Sequence, residues 1–221
     1  TVLAFDLAEK YLSVTVVLTD GSLGQMMEPC ELPPMQKMKT RFPDWAVTGM
    51  EGRERRFLTS INLNPQKQEE LNFKLMRRWQ EIEANEVRYK EYYMEDAQFV
   101  VTGFGSTGRV ALSAVRMARA EGIKVGLIRP ITVNPFPRKV YRDLAGKVQG
   151  ILVTEMNAGH MLEDVLAATE YKIPVEFFAR MGGIVPFADE ILDEIRRIAK
   201  GPIPTEGHPR DCWLNRLLVN Q

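Results

Sequence analysis

The stretch VVTGFGSTGRVALSAVRMARAEGIKVGLIRPITVNPFP, residues 100–137, decides the fold. It continues an apolar run that starts at Phe99 and ends in a glycine-rich turn. Gly103, Gly105 and Gly108 permit tight turning or close backbone approach. Ser106 and Thr107 are candidate helix caps. From about Arg109 to Ala120 apolar residues recur at helical spacing, and Gly122 ends the helix. A second apolar strand, Val125 to Ile128, is closed by Arg129 and Pro130. Strand, helix and strand in so short a span form one right-handed crossover unit of a parallel sheet.

The same alternation continues downstream. A helix is expected around Arg138 to Ala145, a third strand at Gly150 to Thr154 ending at Glu155, a helix at Leu162 to Thr169 and a fourth strand at Val175 to Phe178. Residues 188–199 read as an amphipathic helix with Asp189 and Glu190 in the first turn. Arg196, Arg197 and Lys200 near its end suit the macrodipole. The expected fold class is α/β, a small parallel sheet sandwiched by helices. Residues 201–221 read as a Pro- and Gly-bearing tail. Its Trp213, Leu214, Leu217 and Leu218 are apolar enough to pack, and Cys212 is read as buried.

Upstream of the stretch the pattern is less regular. Residues 1–12 read as an amphipathic helix, and Val14 to Leu18 as a short buried strand closed by Thr19, Asp20 and Gly21. The chain thus opens inside an α/β pattern, and the expectation is that Thr1 is not the natural start. Pro29, Pro33, Pro34 and Pro43 are too closely spaced for a helix interior and mark a connector. Arg53, Arg55 and Arg56 make the next region basic, either a solvated loop or a contact for an anion or partner. Asn64-Pro65 opens a charged helix running to about Met94, as one helix or two with a break. Its apolar stripe, Leu71, Leu75, Met76, Trp79, Ile82, Val87 and Tyr89, imperfect after Ile82, needs a covering surface. The expected organisation is 1–30, the end of an α/β domain; 31–95, connector and long helix; 96–200, a complete domain; and 201–221, a tail.

Composition bounds the function. The chain has 221 residues, zero formal net charge, 45% hydrophobic and 26% charged residues. This describes a globular protein with at least one substantial core. Zero net charge argues against a general nucleic-acid surface. No apolar run reaches membrane-spanning length. Two cysteines, Cys30 and Cys212, cannot alone make a four-ligand metal site or hold an iron–sulfur cubane, and they suit a reducing, cytoplasmic setting. With two histidines, His160 and His208, acid–base chemistry has few candidates of that type.

GFGSTG at 103–108 matches G-x-G-x-x-G spacing between a strand and a helix. A dinucleotide reading also needs an acidic residue at the end of the next strand, where Arg129 and Pro130 stand. The glycines therefore read first as a tight packing turn, with a stand-alone nucleotide-binding domain as the alternative.

LSVTVVLTDGSLGQMMEP (12–29), the stretch 100–137 and VTEMNAGHMLEDV (153–165) resemble the α-chain of 2-oxoacid:ferredoxin oxidoreductases, most of all the branched-chain type that acts on 2-oxoisovalerate. EANEVRYKEY (83–92) is similar to that family's inter-domain segment. The resemblance covers the chain to about residue 200. It implies the end of a pyrimidine-binding-like domain at 1–30 and a transketolase C-terminal-like domain at 96–200. It implies an enzyme converting a 2-oxoacid and coenzyme A to acyl-CoA, CO2 and reduced ferredoxin. Thiamine diphosphate, magnesium and iron–sulfur clusters are then expected in a complex with β-, γ- and δ-type subunits. The family's catalytic glutamate, its substrate contacts and its diphosphate motif match no residue here.

This segment is accordingly expected to be structural and interfacial, inactive and without cofactor when isolated, and prone to self-association. A pure assembly module is a further alternative. No catalytic, cofactor or metal residue is assigned. Arg129, Glu155, Asn157, His160 and Arg180, which follow strand ends, are the candidates for an interface or site rim. Each also has a plain structural reading: an ion pair or carbonyl contact for Arg129 and likewise for Arg180, fixing the Gly159 turn or capping its helix for Glu155 and Asn157, and a surface or cap residue for His160.

Overall fold

In a computed structural model, residues 1–35, 42, 43, 45–55, 57 and 59–219 are described. The elements, in chain order, are α1 (Val2–Tyr11), α2 (Gly21–Gln25), α3 (Pro65–Glu86), β1 (Tyr89–Tyr92), β2 (Phe99–Thr102), α4 (Gly105–Ala120), β3 (Val125–Pro130), α5 (Arg138–Arg142), β4 (Gly150–Glu155), α6 (His160–Ala168), β5 (Val175–Ala179), α7 (Ala188–Lys200) and α8 (Pro209–Val219). The chain divides into two compact units, Thr1–Gln25 with Gln80–Gln221, and Met26–Trp79.

The first unit is built on one five-stranded sheet of order β1-β3-β2-β4-β5. β2 pairs in parallel with β3 and β4, and β4 with β5. The parallel strands are buried almost throughout, as strands covered on both faces must be. On one face Val100, Ile128, Ile151, Val153 and Phe177 pack with α5 and α6 through Val140, Tyr141, Leu162 and Val165. On the other, Val101, Leu127 and Leu152 meet α4 and α7 through Ala111, Ala114, Val115, Ile191 and Ile195. The α/β sandwich is therefore the architecture observed. α4 presents small residues at the contact, which lets its backbone lie close to the sheet.

Several expectations are corrected. The sheet is mixed, because β1 joins β3 in antiparallel register, Lys90 against Arg129 and Tyr92 against Leu127. The long helix ends at Glu86, not near Met94, because Tyr89–Tyr92 pairs with β3 as an edge strand. α4 begins at Gly105, so Ser106 and Thr107 lie inside its first turn and cap nothing. The helix after Pro137 stops at Arg142, short of Ala145. The tail contains a helix, α8, opened by Pro209 at its first position. Val14 to Leu18 forms no strand: among the described residues no other segment pairs with it, and Val14 is 90% exposed. Arg56 lies outside the described residues.

In the second unit, the described residues before α3 form no helix or strand. Asn64 caps α3, its Oδ1 accepting from Lys67 N at 3.0 Å. Phe73, Leu75 and Met76 on this helix are exposed.

The two sheet edges are treated differently. α8 contacts β5. Trp213, 5% exposed, meets Phe177 edge-on at 5.4 Å. On the opposite face of β5, Glu176 is 1% exposed. It accepts from Arg197 of α7 at 3.1 Å and Arg216 of α8 at 2.8 Å, and Glu194 bridges the same two arginines. Two guanidinium groups thus neutralise a carboxylate that burial alone would not tolerate. Among the described residues no strand pairs with the outer edge of β1, which carries exposed Lys90 and Glu91. A second copy pairing there about a two-fold axis would set Lys90 against Lys90 or Glu91 against Glu91 in the registers that use most of the strand, which discourages sheet extension.

Removing Glu176 takes away the buried carboxylate that both arginines share and leaves Glu194 alone to pair them. Glu176→Ala is expected to lower unfolding free energy by about 2 kcal/mol or more. Urea unfolding measures it, and a change within about 0.5 kcal/mol, as for an ordinary surface site, would contradict this account.

Candidate functional site

The chain leaves β2 toward β3 on one side and, from β4, proceeds to β5 on the other. The carboxyl ends of β2 and β4 are therefore the topological switch point, where open α/β sheets place ligands. Two turns meet there, Gly103–Phe104 before α4 and Met156–Gly159 before α6.

The first turn is very tightly packed. A Cβ on Gly103 would lie 2.7 Å from Thr154 Oγ1, and one on Gly108 would lie 2.5 Å from Gly103 O and 3.1 Å from Arg129 Cγ. Thr154 Oγ1 donates to Thr102 O at 3.0 Å, and the Thr102 hydroxyl shares a 2.6 Å hydrogen bond with Tyr141. Burial pushes the Tyr141 phenol up. The first and third glycines of GFGSTG thus seat α4 on the strand ends.

The start of α4 already has an anion. Ser106 Oγ donates to Asp20 Oδ2 at 2.5 Å, and Leu23 N donates to Asp20 Oδ1 at 2.7 Å. The Ser106 hydroxyl first, then these backbone donors, holds the Asp20 carboxyl below its usual range. A carboxylate of the same chain therefore stands where a phosphate would be expected at a helix N-terminus. This weighs against reading GFGSTG as a nucleotide site.

The second turn is held by two acceptors. Asn157 Oδ1 accepts from Gly159 N at 2.8 Å and His160 N at 2.9 Å. Glu155, buried, accepts from Met161 N at 3.0 Å and Leu162 N at 2.8 Å. Burial pushes the Glu155 carboxyl up, against the pull of those two N–H groups. Together the pair satisfies the four leading N–H groups of this turn and helix, which otherwise have no intrahelical partner. With both its oxygens committed to backbone donors, Glu155 is poorly placed to serve as a proton acceptor for a substrate.

Glu155, Asn157 and His160 are brought together at this junction. Arg180 adjoins them through its backbone N–H, which donates to Glu155 O at 3.1 Å. Its guanidinium pairs with Glu190 on α7. His160 is exposed. Arg129 lies beyond β2, with its stem against Gly108.

Three other groups were not visible in the sequence. Lys10 and Tyr11 donate to Glu86 Oε1 at 2.8 and 2.6 Å, and Arg88 to its other oxygen at 2.7 Å. The Lys10, Tyr11 and Arg88 donors hold Glu86 down to about 2. Asp20, read only as a turn residue, reaches Ser106. From the tail, Arg210 donates to Glu163 at 2.6 Å, and His208 Nε2 lies 3.3 Å from the same carboxylate. Only Lys67–Asn64-type local spacing is legible in a sequence; apart from Arg88 with Glu86, these pairs are distant in it. Cys212 is partly exposed and Cys30 exposed, so the burial expected of Cys212 is incomplete. Among the described residues no grouping of three or more His, Cys, Asp or Glu is placed to hold a metal ion.

Comparison with known proteins agrees with this architecture. Residues 97–191 match the pyruvate:ferredoxin oxidoreductase core domain II family. The chain is 44% identical over 199 residues to ketoisovalerate oxidoreductase subunit VorB of Methanothermobacter thermautotrophicus, covering 90% of this chain and 56% of that protein. It is 30% identical over 223 residues to 2-oxoglutarate synthase subunit KorA of Methanothermobacter marburgensis, covering 88% of this chain and 59% of that one. The chain thus spans little more than half the length of the curated relatives it matches. A solved 2-oxoglutarate:ferredoxin oxidoreductase from Magnetococcus marinus has the same fold over 62% of this chain and 24% of its own, with TM-score 0.54 at 20% identity.

If Glu155 holds the start of α6, Glu155→Ala leaves two buried N–H groups without an acceptor and is expected to cost about 2 kcal/mol. Denaturant unfolding checks this, and amide exchange at Met161 and Leu162 should accelerate before that of β4. Unchanged protection at both amides would contradict the role. Sequence similarity and fold agree: residues 97–191 match core domain II of the pyruvate:ferredoxin oxidoreductases, and the chain is similar along 90% of its length to a ketoisovalerate oxidoreductase subunit.

Proposed function

We propose that this chain is part of the α-type subunit of an oxidoreductase that converts 2-oxoisovalerate and coenzyme A to the acyl-CoA, CO2 and reduced ferredoxin. The observation that carries the substrate class is the 44% identity to a ketoisovalerate oxidoreductase subunit along 90% of the chain. Within that enzyme this segment is a scaffold and subunit interface. Its buried carboxylates at the sheet are spent on its own backbone and arginines. Thiamine diphosphate, magnesium and iron–sulfur clusters belong to the rest of the complex, with β-, γ- and δ-type subunits and a ferredoxin acceptor.

The organisation expected from the sequence supports this reading. Residues 1–30 are the end of a pyrimidine-binding-like domain, 31–95 a connector and helix, 96–200 the transketolase C-terminal-like domain and 201–221 a tail. Exposed Val14, Val16, Val17 and Leu18 suit a strand that acquires its neighbours in a larger assembly. Exposed Phe73, Leu75 and Met76 suit a helix with a partner surface. Arg129, Glu155, Asn157, His160 and Arg180 lie at a rim or interface, Glu155 and Asn157 by shaping the turn. Among the described residues no helix is long and apolar enough to cross a membrane, and a cytoplasmic location suits two free thiols.

The test is native purification of the full gene product, followed by dye- or ferredoxin-linked turnover with 2-oxoisovalerate and coenzyme A. The expected outcome is co-purification with thiamine- and cluster-bearing chains and turnover by that complex. The isolated 221-residue chain should self-associate and show no turnover. A monomer with measurable turnover, or a full product that stays alone, would overturn the proposal.

A further inference from the structure

Lys90 and Arg129 stand directly opposite each other across the β1–β3 ladder. Directly opposed residues project from the same sheet face, here the face of Tyr92 and Leu127 on which α4 packs. Such residues hold their Cβ atoms about 5 Å apart, and like charges at that spacing are destabilising. Among the described residues neither cation has a hydrogen-bond or ion-pair partner. Glu86, just before the strand, is already shared by Lys10, Tyr11 and Arg88. Glu91 pairs with Ile128 and so belongs to the opposite face.

The arrangement is specifically accommodated. Arg129 is half-buried and is the penultimate residue of β3, at the carboxyl edge of the parallel strands. Its Cγ approaches Gly108 so closely that a Cβ there would lie 3.1 Å away. The glycine leaves room for the arginine stem, and Lys90 is exposed beside it. Two cations opposed in the ladder, with no carboxylate paired to either among the described residues, suit one group with nearly two negative charges.

We propose that Lys90 and Arg129 together bind the phosphate monoester group of a small molecule. A phosphate monoester carries a charge of about −1.5 to −2 near neutral pH, which matches the pair, whereas a carboxylate carries one. The guanidinium supplies paired planar donors to two phosphate oxygens, and the ammonium supplies a point charge. The site is separate from the start of α4, where Asp20 is the anion. The proposal does not rest on the enzyme assignment above.

The test is calorimetric titration of the chain with inorganic phosphate at fixed ionic strength near neutral pH, with acetate as a monoanion control. Saturable phosphate binding with none for acetate is expected. Lys90→Gln and Arg129→Gln should each weaken it about tenfold, as loss of a charge-assisted contact does. Thermal unfolding of both variants in chloride reports their folding, and each Tm should equal or exceed that of the parent because a like-charge contact is relieved. Equal responses to phosphate and acetate, or unchanged phosphate affinity in both variants, would overturn the proposal. A lowered Tm in chloride would also overturn it, by showing that the cations serve the fold.

Discussion

The contact on which the rest depends is the approach of the first turn of α4 to the ends of β2 and β4. No side-chain atom fits at Gly103 or Gly108, because the carbonyl of Gly103 and the hydroxyl of Thr154 already occupy the space. That approach sets the height of α4 above the sheet, where Ala111, Ala114, Val115 and Ala118 then pack without a gap. It also brings Ser106 to Asp20 and lays the stem of Arg129 along the helix. A motif that can cradle a dinucleotide is used here to weld a helix to a sheet.

A second constraint follows from burial. Glu155 and Glu176 lie under the surface, and each is matched by donors of the same chain. Glu155 takes two backbone N–H groups, and Glu176 takes two arginines from different helices. Such acceptors fix the positions of α6, α7 and α8 relative to β4 and β5. Because their hydrogen-bonding capacity is largely used within the fold, they favour a scaffold over a reaction centre. This physical argument agrees with a chain that spans little more than half the length of the curated relatives it matches.

How much was legible varied with the range of the interaction. The core strands and α4, α6 and α7 were readable because burial on both faces gives apolar runs, and amphipathic faces give helical periodicity. Tyr89–Tyr92 was missed because YKEY is polar and follows a helix without a break; only the partner strand makes it a strand. Val14 to Leu18 erred the other way, since a β-branched apolar run has strand propensity but a strand needs a neighbour. α8 was hidden by the Pro and Gly residues before it. At the site, Asn157 and Glu155 could be suspected as turn and cap residues from their position after a strand. Asp20 with Ser106, and Lys10 with Glu86, could not, because nothing local couples positions so far apart in sequence.

The most direct measurement of the central claim is the unfolding free energy of Gly108→Ala beside Gly105→Ala. At Gly105 a methyl group meets open space, and only the positive φ of 56° opposes it, a cost of about 1–2 kcal/mol. At Gly108 the methyl meets backbone, and α4 has to move off the sheet. The account predicts that Gly108→Ala costs clearly more, about 3 kcal/mol or loss of the folded state. A Gly108→Ala protein as stable as the parent would show that close seating of α4 is not what the glycines provide.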